Sequence, residues 1–71
     1  MTTREMLKFM KSHGYSLQLM SSQSGVGYFK VYRHATRDSA LSSDDKAALW
    51  RFGLAQPVLA DHIHTIAERD K

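Results

Sequence analysis

The alternation of apolar and polar positions divides the chain into five stretches. Met6, Leu7, Phe9 and Met10 recur at spacings of three and four and so share one helical face. Thr2 and Glu5 stand three apart, as in a capping box, and Gly14 offers the left-handed conformation that ends helices. A helix is therefore predicted over residues 3–13, with Arg4, Lys8 and Lys11 along its polar side.

Tyr15, Leu17 and Leu19 then alternate with polar residues, the period of a half-buried strand over residues 15–20. Ser21 to Gly25 is small and polar, the composition of a loop. The stretch 27–34, rich in Tyr, Phe and Val, has strong β-propensity and predicts a second strand. Its alternation places Phe29 and Val31 toward a core and Tyr28, Lys30, Tyr32 and His34 on the opposite face. So short a loop joins strands only as an antiparallel hairpin, with Leu19 opposite Phe29 and Leu17 opposite Val31.

Residues 35–41 show no period and predict a loop, with a short third strand as the alternative. Ser42 or Ser43 caps a following helix whose first turn carries Asp44 and Asp45, anions favoured by the helix dipole. Ala47, Ala48, Leu49, Trp50 and Phe52 make it the central core helix, with Trp50 as the expected largest anchor and Gly53 as its end. Pro57 suits the first position of a last helix, in which Leu59, Ile63 and Ile66 form an apolar stripe. The expected fold is α+β, in the order α-β-β-α-α, with helices packed on one face of the hairpin.

At 71 residues the chain is expected to form a single small domain spanning 1–71. It contains no cysteine, which excludes disulfides and thiolate metal sites. The first residues lack the apolar run of a signal peptide, and the longest apolar run, Ala47 to Trp50, is far below the ~20 residues of a membrane span. A soluble, cytoplasmic protein without a membrane partner is expected. Ten Lys or Arg against seven Asp or Glu leave a net charge of +3, a mild excess that permits nucleic acid without demanding it.

Little in the sequence points to catalysis. There is no nucleophile elbow, and the glycines at 25 and 27 lead into a predicted strand rather than opening a helix as a phosphate cradle does. His62 and His64 are two apart and do not face each other on a helix. Asp61, His64 and Glu68 share a face but lack a metal-recruiting pattern. No catalytic residue, metal site or cofactor is expected.

Residues 53–63, Gly-Leu-Ala-Gln-Pro-Val-Leu-Ala-Asp-His-Ile, resemble the junction of repressor-type helix-turn-helix proteins, in which a glycine turn precedes a Gln-x-x-Leu-Ala helix and a recognition helix follows. His13-Gly14-Tyr15, after a short amphipathic helix, is similar to the opening of small mRNA-cleaving toxins with a double-stranded-RNA-binding-like fold. That resemblance implies a catalytic histidine at the start of the second strand, where this chain has Ser24-Gly25-Val26-Gly27-Tyr28. The expected function is a small non-enzymatic regulatory module that binds a protein partner or itself, as adaptor or inhibitor. Self-association would use a free strand edge or the Ile63 and Ile66 stripe. The alternative is nucleic-acid binding through residues 27–37, and a divergent toxin-like RNase is the remote one. The surface assigned to binding comprises Tyr28, Lys30, Tyr32, Arg33, His34 and Arg37, with Lys8 and Lys11 from the first helix.

Overall fold

Five helices, α1 (Thr3–Ser12), α2 (Leu17–Ser24), α3 (Tyr28–Arg37), α4 (Ser43–Leu54) and α5 (Pro57–Arg69), make up the computed structural model. It describes residues 2–37 and 39–69, the side chains of 66 and 69 excepted, and contains no strand among them. The α+β expectation is thus overturned. Both predicted strands are helices, the hairpin and its register do not exist, and the third-strand option at 35–41 is replaced by the end of α3 and an irregular connection. Asp38 lies outside the described residues. The strands implied by the toxin resemblance are absent for the same reason, and so is the sheet edge on which strand-addition dimers would depend.

The first helix follows its sequence signals closely. Thr2 accepts the Glu5 amide at 3.1 Å, and its hydroxyl donates to the Glu5 carboxylate at 3.2 Å. At the other end Gly14, with φ +93°, donates to the Lys11 carbonyl, and Tyr15 donates to that of Met10 at 3.0 Å. These two bonds form a Schellman motif.

The stretch expected as a hairpin is stabilised by the same kinds of device. Ser16, expected as an exposed strand residue, is the N-cap of α2 and accepts the Leu19 amide at 3.0 Å. Gly25 ends α2 in the left-handed conformation, with φ +82°. Leu17 and Met20, three apart, face the core while Leu19 is exposed. In α3 the buried set is Val31, His34 and Ala35, at spacings of three and four. Burial decided the period here, and the β-propensity of Tyr, Phe and Val was too weak to oppose it.

Every helix contributes to one core: Met6, Leu7 and Met10 from α1, Leu17 and Met20 from α2, Val31 and Ala35 from α3, Leu49 from α4 and Leu59 from α5. Full burial of each Leu, Met or Val is worth about 1.5–3 kcal/mol. Three of these residues are methionines, whose flexible thioethers fill irregular gaps between crossing helices. Trp50 does not sit at the centre. It is half-buried at the core's edge, donating from Nε1 to Thr3 Oγ1 at 2.9 Å, and Leu49 takes the fully buried place.

Gly53 does not end α4, which continues to Leu54. It is buried, and a Cβ on it would meet Leu59 Cδ2 at 2.7 Å and Met6 Sδ at 2.8 Å. The residue is small because α1 and α5 cross there. Pro57 opens α5 as expected, and Leu59 and Ile63 pack inward, while the Ile66 side chain lies outside the described residues. No described helix is long and apolar enough to cross a membrane.

Candidate nucleic-acid interface

The helices α2 and α3 form a compact unit. Gly25, Val26 and Gly27 alone separate them, and the two helices pack against each other. Hydrogen bonds hold the turn in place. Ser21 Oγ donates to the Val26 carbonyl at 2.5 Å, the Gly25 amide donates to the Ser21 carbonyl at 2.9 Å, and Ser24 Oγ accepts the Val26 amide at 3.3 Å. Val26 is buried and pins the turn to the core. Ser21 and Ser24, expected as loop formers, are the last turn of α2 and the clamp of this corner.

From that corner α3 runs with one face in and one face out. Inward, Val31 and Ala35 join the core. His34, expected on the binding surface, is buried at 7% exposure, and the Ser39 carbonyl accepts from its Nδ1–H. A carbonyl only accepts, so Nδ1 carries the proton. His34 therefore ties the end of α3 to the following connection, and Arg4 Nε adds a bond to the Ala35 carbonyl at 3.3 Å.

Outward, α3 presents Tyr28, Phe29, Tyr32, Arg33 and Arg37. Phe29, expected in the core, is the most exposed large apolar residue of the helix, at 69%. The Tyr28 ring stacks on Tyr32 with centroids 6.1 Å apart and meets Phe29 edge-on at 5.7 Å. Lys30 lies to the side, 3.6 Å from the Asp45 carboxylate in the first turn of α4. Lys8 and Lys11 are exposed on α1, and with Arg4 they line a groove of about 310 Å³ against Ala35 and Thr36.

The structure thus keeps Tyr28, Lys30, Tyr32, Arg33 and Arg37 on one helix with Lys8 and Lys11 nearby, removes His34 to the interior and adds Phe29. The sequence signal for Phe29 is its place three before Tyr32 and four before Arg33, a helical spacing hidden by the strand-like composition.

The histidines of α5 have local roles. His62 stacks on Phe9 at 4.0 Å, and His64 pairs with Glu68 at 3.1 Å on the surface. Asp61 serves through its carbonyl, which accepts from Thr65 Oγ1 at 2.9 Å.

The chain matches no family model, no curated protein and no solved structure.

Proposed function

We propose that this protein is a DNA-binding regulatory module that seats α3 in the major groove of duplex DNA. The observation that carries this is the α2–turn–α3 unit: two packed helices, a three-residue turn with a left-handed glycine, and a second helix whose outer face is free. A helix-turn-helix has this connectivity, and in that motif the N-terminal residues of the second helix reach base edges. The resemblance noted at residues 53–63 belongs to another junction, and no further helix follows α5 among the described residues.

The ten residues of α3 span about 15 Å, and a helix of about 10–12 Å diameter fits a groove about 12 Å wide. In this proposal the exposed Tyr28, Phe29, Tyr32 and Arg33 meet base edges, and the exposed Arg37, Lys8 and Lys11 meet phosphates. The net charge of +3 supports association with a polyanion. The activity is binding without an enzymatic step, and a cytoplasmic location belongs to the same proposal.

Fluorescence anisotropy with a mixed-sequence duplex and its separated strand tests the proposal. If Lys8, Lys11 and Arg37 each neutralise one phosphate, duplex affinity falls about 40-fold between about 50 and about 200 mM salt, at a slope of about −0.9 per contact. Absence of duplex binding at the lower salt, or equal affinity for the single strand, overturns it. A second reading, contact with a protein partner or another copy, is favoured by the exposed Leu19 and Leu54. A purely monomeric sedimentation profile across concentrations counts against self-association.

A further inference from the structure

The outer face of α3 holds an apolar ring where a reading helix would carry its most selective residue. Phe29 is the second residue of the helix, 69% exposed, with no polar atom and no role in the core. Its ring meets that of Tyr28 edge-to-face, and it is not among the described residues packed on the core. Neither Asn nor Gln, the side chains that read adenine with two hydrogen bonds, occurs anywhere in α3. Arg33, four residues on and on the same face, is the group suited to guanine. Lys30 is drawn aside toward Asp45.

In the major groove only one base feature complements a phenyl ring, the C5-methyl of thymine. The geometry points to Phe29 as a specificity residue that selects a thymine by packing on that methyl. This rests on the DNA-binding reading of α3 and adds to it the chemistry of one base pair. Tyr28 is edge-to-face with Phe29 and stacked on Tyr32, so the three rings form one exposed aromatic group.

The test uses duplexes selected by the protein from a randomised pool, with each thymine of the selected site replaced in turn by uracil, which removes only the methyl. One replacement weakens wild-type binding about fourfold, the value of one buried methyl group. The Phe29→Ala protein binds the thymine and uracil duplexes equally. Phe29 is exposed, so the variant keeps its fold, and an unchanged thermal midpoint verifies this. A wild-type protein insensitive to every replacement overturns the assignment, as does a Phe29→Ala protein that keeps the full discrimination. Insensitivity accompanied by a sharply bent duplex also overturns it, and makes Phe29 a wedge between base steps. A pool that yields no bound duplex removes the DNA-binding reading itself, and the thymine contact with it.

Discussion

The chain turns between packed helices at two similar-looking places, and they work on opposite principles. At the α2–α3 corner Gly25 is there for its backbone, with φ +82° and open space around its missing side chain. At the α4–α5 corner Gly53 has ordinary helical geometry and is there for space, because Met6 and Leu59 fill the volume a Cβ would need. The helices leaving the two corners differ as well. Outwardly α3 shows aromatics and cations, whereas α5 shows Asp61, His64, Thr65 and Glu68, a mixed face that would repel phosphate at its acids. A glycine before a helix is thus a weak sign of a DNA-reading element. The charge and exposure of the following helix separate the two corners.

Removing the packing at the α4–α5 corner has the largest effect. Leu59→Ala leaves a cavity beside Gly53 and Met6 and is expected to cost about 2–5 kcal/mol in urea denaturation. Gly53→Ala crowds the same spot from the other side and costs about 1–3 kcal/mol. The clash is with flexible side-chain ends, so the double variant Gly53→Ala with Leu59→Ala is less destabilised than the sum, by about 0.5–3 kcal/mol. Strict additivity would show that Gly53 is not small for reasons of space.

Next comes the backbone corner. Gly25→Ala meets no atom within 4 Å and loses only the freedom to hold a positive φ, a cost of about 1–2 kcal/mol. Gly25→Asn costs less, because asparagine tolerates the left-handed region. Alanine and asparagine variants of equal stability would break the distinction between the two glycines.

The parts of the fold legible in the sequence are those marked by caps. Thr2, Gly14, Ser42 and Pro57 delimit α1, α4 and α5 within a residue or two of the expected bounds, though Gly53 lies inside α4 and not at its end. The α2–α3 unit is hidden by two circumstances. Tyr15, Leu17 and Leu19 imitate a strand over a window too short to separate periods of 2 and 3.6. In α3 a polar residue, His34, fills a core position, so the apolar stripe is incomplete when read by hydropathy. An error of period exchanges faces, and Phe29 and His34 accordingly change places. Tyr28, Lys30, Tyr32, Arg33 and Arg37 are exposed in the helix as they would be on a strand surface, because the mixing of aromatics with cations marks a surface whatever the secondary structure.

The smallest expected effect bears most directly on the outer face of α3. Side chains of Thr2, Ser16 and Ser42 cap α1, α2 and α4. At α3 and α5 the preceding residues, Gly27 and Gln56, accept the first backbone bonds through their carbonyls, with no side-chain cap among the described residues. A Cβ on Gly27 would meet nothing within 4 Å, so a serine fits there and can accept an amide of the first turn. Gly27→Ser is expected to stabilise the fold by a few tenths of a kcal/mol, a rise of about 2 °C in the thermal midpoint. The same hydroxyl occupies amides that would face a phosphate if α3 enters the groove. Duplex affinity therefore falls as stability rises, an opposition that no loss of folding can imitate. A Gly27→Ser protein that melts higher and binds duplex DNA as tightly as before would place the first turn of α3 away from the phosphate backbone.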